Sequence, residues 1–177
     1  KLSMTDHHNA CLGLPSTPWA FLLHDDDELF PNILEQLEFV LSETDDAGIV
    51  IGGVDFIDEK GSSQGTWVPE TSETIKGEEG VLRLGLDFRV SPPGCIWNVP
   101  AFRQVGGFPD ANGTSADQTL VLRLTFSHGA KLLPQIVGRY RIGSQQITDY
   151  SSPERAEYVL DCVIQMARLT RTIGVSE

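Results

Sequence analysis

No stretch of the sequence approaches the roughly 20 apolar residues that a membrane-crossing helix needs. No basic-then-apolar segment opens the chain either, so nothing reads as a secretory leader. Cysteine is scarce: Cys11, Cys95 and Cys162 are odd in number and far apart, with no C-x-x-C pair. That excludes a disulfide scaffold and leaves them as small buried hydrophobes of a reducing compartment. Basic residues are also short, with 13 Lys and Arg against 25 Asp and Glu and a formal net charge of -12. Such a surface repels polyphosphate backbones, which excludes nucleic acid as a partner.

The 177 residues suit one compact domain, and no internal repeat or low-complexity segment is visible. The apolar run Trp19 to Leu23, after Pro15-Ser16-Thr17-Pro18, predicts a buried strand. Pro31 followed by Ile33, Leu34, Leu37, Val40 and Leu41 predicts an amphipathic helix. Ile49-Val50-Ile51 with Val54, Phe56 and Ile57 predicts a core strand, turned by Asp58-Glu59-Lys60-Gly61. Residues 62–80 read as a surface loop, and Cys95 to Val99 as a short strand. A helix from Asp117 to Ser127, stopped near Gly129, precedes an edge strand at Leu132 to Tyr140. A last helix starts near Ser152-Pro153-Glu154 and carries Val159, Cys162, Val163, Met166 and Leu169 on one stripe. Alternating strands and helices imply a layered α/β domain.

Between the first strand and its helix stands Asp25-Asp26-Asp27. Adjacent carboxylates repel one another, and a hard divalent cation relieves that repulsion while supplying the positive charge a diphosphate needs. An acidic first turn, solvated and favoured by the helix dipole, explains the same residues without a ligand. The loop lacks the glycine and terminal glutamate of an EF-hand. His7, His8 and His24 have no zinc-site spacing.

Phe21-Leu22-Leu23-His24-Asp25-Asp26-Asp27-Glu28-Leu29-Phe30-Pro31 resembles the D-x-D region of family 2 glycosyltransferases, roughly F-L-D-x-D-D-x-L-x-P. His8-Asn9-Ala10 with Leu12-Gly13-Leu14 resembles the family's A-R-N-x-G-L helix, and Arg103-Gln104-Val105-Gly106-Gly107-Phe108 its R-x-V-G-G-F turn. Ala116-Asp117-Gln118-Thr119-Leu120-Val121-Leu122-Arg123-Leu124 resembles the E-D-x-x-L-x-x-R-L helix, and Tyr140-Arg141-Ile142-Gly143-Ser144 the Y-R-x-H-x-x-S segment. The resemblance implies a GT-A-like, Rossmann-like three-layer fold, a mixed sheet with helices on both faces. Residues 1–177 would form one partial domain, with a C-terminal helix over 152–173 packed on it.

The implied activity is inverting, metal-dependent transfer of a sugar from a nucleotide-diphosphate sugar to a saccharide or lipid-linked acceptor. It belongs to bacterial polysaccharide biosynthesis, in the cytoplasm or at the inner face of the membrane. Asp117 would be the catalytic base, and Asp26 the principal ligand of Mn2+ or Mg2+ with Asp25 and Asp27 beside it. Two registers stay open, His24 with Asp26 or Asp25 with Asp27. His24, Asp25, Gly106, Gly107, Phe108, Trp97 and Arg141 would line the donor and acceptor pockets.

Three features depart from the family pattern: Gly143 stands where many members carry histidine, Ala116 replaces the glutamate before the base, and the opening P-x-Y/F-N and D-D-G-S motifs are missing. The chain is therefore expected to be an N-terminally truncated piece of a longer enzyme. Its exposed sheet edge invites a homodimer. The alternative function is a non-catalytic binding or interaction domain on the same scaffold.

Overall fold

The structure, a computed structural model, describes residues 2–44, 47–85, 90–109 and 116–143, together with helical positions 160, 163, 164, 167, 168 and 171. Among the described residues up to 143, five α-helices and seven strands follow in the order α1 (Met4–Gly13), β1 (Trp19–Phe21), β2 (Glu28–Leu29), α2 (Ile33–Ser42), β3 (Ile49–Ile57), β4 (Ser63–Trp67), β5 (Thr74–Ile75), α3 (Gly77–Gly85), β6 (Cys95–Asn98), α4 (Val99–Gln104), α5 (Ala116–Ser127) and β7 (Ala130–Arg141). The strands make one mixed sheet in the order β1-β6-β3-β7-β2, with β4 paired to β3 and β5 to β7. The domain is therefore mixed α/β, as the alternation of elements predicts.

β3 explains the layering. Its β-branched run is buried along almost its whole length, as befits a strand covered on both faces. Ile49 and Ile51 enter an apolar cluster with Leu12 of α1, Leu84 of α3, Phe102 of α4 and Leu120 and Leu124 of α5. Val50 points the other way, into a smaller cluster with Ile33 and Leu37 of α2 and Ile96, Leu133 and Val137. Successive side chains of a strand alternate between faces, so helices cover both sides of the sheet. α5 is buried around most of its circumference, wedged between α3 and the sheet, and Gln118 Nε2 donates to the Leu84 carbonyl at 2.9 Å.

Several expectations need correction. β7 is not an edge strand: it lies between β3 and β2, parallel to the former and antiparallel to the latter. Its Pro134 is tolerated because the β3 pairing skips from Leu132 to Ile136, an irregularity that asks no ladder donor of the proline. At Gly138 a Cβ would stand 2.4 Å from the Pro93 carbonyl oxygen, so only glycine lets the turn before β6 cross this strand.

Residues 62–80 are not one loop, since they hold β4, β5 and the start of α3. Leu34 does not join the buried stripe of α2, being 62% exposed. Val99 begins α4, a helix with no counterpart in the periodicity, capped by Asn98, whose Oδ1 accepts the Ala101 N–H at 2.9 Å. The start of the C-terminal helix at Ser152-Pro153-Glu154 lies outside the described residues, as does Ser144 of the Y-R-x-H-x-x-S resemblance. No helix among the described residues is long and apolar enough to cross a membrane.

Candidate functional site

β1 is antiparallel to β6, β6 is antiparallel to β3, and β3 is parallel to β7. The three strands β1, β3 and β7 thus run one way, and their carboxyl ends share a rim. α5 leads into the opposite end of β7, so its first turn returns to that same rim. This is where an open α/β sheet ordinarily binds its ligand.

The loop that leaves β1 is short and closed on itself. Asp25 and Asp26 form a turn, and the Asp27 N–H reaches the His24 carbonyl at 3.3 Å. Arg141, at the end of β7, holds the loop from the other side. Its N–H donates to Asp27 Oδ1 at 3.0 Å, and its Nε to the Asp26 carbonyl at 2.8 Å. The rest of the guanidinium reaches the Asp58 carbonyl after β3 at 2.8 Å and Glu28 Oε1 at 2.7 Å. Anticipated as a pocket-lining group, Arg141 is thereby a brace across three strand ends, with its charge committed to Glu28.

What the brace creates is a group of ligand atoms. His24, Asp26 and Asp27 each offer one, all within 4.8 Å of one another. Asp27 is the buried member, its side chain 1% exposed, and its Oδ2 has no hydrogen-bond partner among the described residues. Burial is the main cause that pushes its carboxyl up to about 6; the Arg141 N–H opposes that, and the Asp26 charge adds to it. A desolvated carboxylate with one oxygen uncommitted is costly, and a cation beside it removes the cost. The donor set therefore fits a divalent ion. Asp25 is exposed and outside the group, which corresponds to the His24 and Asp26 register with Asp27 added.

His24 is itself held in place. Its ring stacks on His8 of α1, with centroids 5.2 Å apart and planes at 17°, and His8 lies 5.4 Å from the Phe108 ring. Burial and then the charges of His24 and His7 lower the His8 pKa, so this ring stays neutral and forms a flat shelf beside the acidic loop. The sequence offers His8 within the A-R-N-x-G-L resemblance but gives no sign of its contact with His24, which depends on the packing of α1.

The Gly106-Gly107-Phe108 turn ends α4 with φ of 83° and 71° at its two glycines. A Cβ at Gly107 would meet Asn9 Oδ1 at 2.5 Å. The reason is a two-way clasp: Asn9 Oδ1 accepts the Phe108 N–H at 2.8 Å while its Nδ2 donates to the Phe108 carbonyl at 3.0 Å. Arg103 adds Nη2 bonds to the Gly13 and Pro15 carbonyls at 2.9 and 3.0 Å. The two sequence segments quoted together above are thus physically bolted to each other. Phe108 is buried among Phe102, Trp97 and His8 rather than lining an open pocket. Trp97 is 1% exposed, so its ring offers no face on which a sugar can stack.

Asp117 stands in the first turn of α5, where Oδ1 accepts the Gln118 N–H at 2.7 Å. The residue is half-buried. Burial raises its pKa, against the pull of these helix amides and of His24. Its charge is felt at Cys95, a buried thiol whose own pKa is pushed up chiefly by burial. Asp117 is accordingly within electrostatic reach of His24, on the rim that carries the acidic loop. Gly143, two residues beyond the brace, brings no ligand side chain to it.

No protein-family model and no curated protein matches this chain.

Proposed function

We propose that the protein is a metal-dependent, inverting glycosyltransferase of the GT-A type, acting on a nucleotide-diphosphate sugar and a saccharide or lipid-linked acceptor. The observation that carries this reading is the buried, unpartnered Asp27 Oδ2 within a His24–Asp26–Asp27 group on the same rim as Asp117. The sequence resemblance supports it independently, because the D-x-D loop, the Gly-Gly-Phe turn and the candidate base occur in the family's order.

Asp26, Asp27 and His24 would hold Mn2+ or Mg2+, which as a Lewis acid stabilises charge on the departing nucleotide diphosphate. Asp117 accepts the proton of the acceptor hydroxyl as that oxygen attacks the anomeric carbon from the face opposite the diphosphate. Its raised pKa makes it a stronger base than an ordinary aspartate. Asp27 and Arg141 keep the loop in place, and the clasp of Asn9 on Phe108 fixes the neighbouring turn. A single displacement of this kind inverts the anomeric centre. The site faces the cytoplasm in this reading, where nucleotide sugars are made.

A non-catalytic domain on the same scaffold is favoured by two observations, the commitment of Arg141 to Glu28 and the absence of a side chain at Gly143. Calorimetry separates the two readings: UDP with Mn2+ should give saturable heat. No heat at about one millimolar UDP, in the chain with any natural upstream segment attached, overturns the transferase. A homodimer through β1 is the proposed use of that strand's outer edge, since β1 ends the sheet order and pairs only with β6 among the described residues. Sedimentation of the full chain tests it, and a monomer at all concentrations rejects it.

A further inference from the structure

The group at the end of β1 is not the all-oxygen cage of a magnesium site. Its three members are one imidazole and two carboxylates, His24, Asp26 and Asp27, and the exposed Asp25 stays out of it. Mg2+ keeps oxygen and water around it in near-ideal octahedral geometry, whereas an imidazole nitrogen suits ions further along the first transition row.

Three features show that the imidazole is set up to ligate. Asp27 Oδ2, shut off from water and without a donor among the described residues, faces His24 Nδ1 across 4.0 Å. The other Asp27 oxygen is pinned by the Arg141 N–H at 3.0 Å, so Oδ2 cannot turn away without breaking that bond. The stack on His8 fixes the plane of the His24 ring. A ligand held by surrounding packing in this way needs little reorganisation when an ion arrives.

We infer that His24 is a nitrogen ligand and that it makes the site selective for Mn2+ and later transition ions such as Co2+ and Zn2+ over Mg2+ and Ca2+. The inference rests on reading the group as a cation site and deepens the proposed function by naming its ion. His24 replaces an oxygen ligand with nitrogen, which costs the hard ions affinity and gains it for the softer ones. Asp25 takes no part, despite lying between two ligands in sequence.

Electron paramagnetic resonance of Mn2+ added to the full chain tests this directly. The signal of free aqueous Mn2+ should fall as one ion binds per chain, and Mg2+ should need at least about tenfold more concentration than Mn2+ to restore it. Pulsed measurements on the unmodified chain should show nitrogen modulation from a coordinated imidazole. His24→Asp should bring Mn2+ and Mg2+ toward parity, and Asp25→Asn should leave the ratio of the two affinities unchanged, with circular dichroism confirming that each variant is folded.

Absent Mn2+ binding, displacement by Mg2+ at equal concentration, a bound signal without nitrogen modulation, or a preference that follows Asp25 instead of His24 would each overturn the inference. Its failure is distinguishable from that of the transferase. Saturable UDP binding supported equally by Mg2+ and Mn2+ rejects the ion preference alone. Selective Mn2+ binding without UDP heat rejects the transferase alone.

Discussion

Glu28 and Asp55 lie on either side of Arg139, and Glu28 together with the Asp58 carbonyl takes up the Arg141 guanidinium. One and two residues earlier in the chain, Asp26 and Asp27 gather around the His24 imidazole instead, with Asp27 Oδ2 unpartnered among the described residues. The two acidic groups share a rim and share Arg141, which meets Asp26 through the Asp26 carbonyl and Asp27 through its own backbone N–H. The Arg141 guanidinium pairs with Glu28, while its charge also acts on the Asp27 carboxyl from a distance. An acidic run that merely served the dipole of α2 would be solvated, and Asp27 is not. The closed group reads as stability and the open one as binding, and each can be broken separately.

The largest effect is expected on the open side without a loss of stability. Asp117→Asn removes the proposed proton acceptor while keeping the Oδ1 that takes the Gln118 N–H. Sugar transfer should fall by roughly 10²-fold or more, while the melting temperature holds or rises because burial disfavours the charged carboxyl that the substitution removes. An unchanged rate in a coupled nucleotide-release assay removes Asp117 from the mechanism. On the closed side, Arg141→Ala deletes three side-chain hydrogen bonds and leaves Glu28 short of a partner. Urea unfolding should register a loss of about 3 kcal/mol. A loss below about 0.5 kcal/mol, the size of an ordinary surface substitution, would mean that Arg141 is no brace.

The contrast explains which parts of this rim were legible in the sequence. β1, β3 and α5 announce themselves because their apolar residues repeat on the period of one element, and a buried strand or helix needs little else. α4 does not, since Val99 to Gln104 is a short helix whose capping by Asn98 looks like any Asn-x-x pattern. β7 reads as an edge strand, and its Pro134 is compatible with an interior place only through the irregularity that the register shows. At the site, Asp26, Asp27 and Asp117 stand out as charges in the family's order. The tasks of Arg141 and His8 do not, because they depend on Ile57 lying opposite Arg141 in the sheet and on α1 packing over the loop. Contacts between residues 83 or more positions apart, such as Arg141 with Asp58 and Asp27, leave no local trace. Trp97 illustrates the opposite error, an aromatic that reads as a sugar platform and is sealed inside the core.

A smaller effect, and one of opposite sign, is expected at Asp27. Its carboxyl titrates at about 6 in the folded protein against a reference of 3.8, so the fold holds this proton more tightly than the unfolded chain does. The associated stability is complete below the reference value and is lost as pH rises through about 6. Above that pH the metal-free protein carries the full penalty of a buried charge. Asp27→Asn keeps an acceptor for the Arg141 N–H and drops the charge. In the presence of a chelator it should be more stable than the parent at pH ~8 by on the order of 2 kcal/mol, converging with it at pH ~4. Urea melts across that range check it. A variant less stable than the parent at both ends would mean that Asp27 is already satisfied and that the open group is no different from the closed one.

The mildest change tests whether the closed group works through charge at all. Glu28 is 45% exposed at its side chain and meets Arg139 at 3.3 Å and Arg141 at 2.7 Å. Glu28→Gln retains an oxygen for the Arg141 Nη2 while removing the charge and the longer bond that Oε2 accepts from Arg139 Nη1. Exposed pairs contribute at most about 1 kcal/mol, so the melt should shift by less than that, and by less still at high salt. The two arginines would then be under-neutralised beside the open group. Mn2+ affinity should drop by about two- to threefold at low ionic strength and recover near 1 M salt, where charges separated by more than about 3 Å are screened. Equal affinity at both ionic strengths would show that the two groups are electrostatically independent and that Arg141 links them by geometry alone.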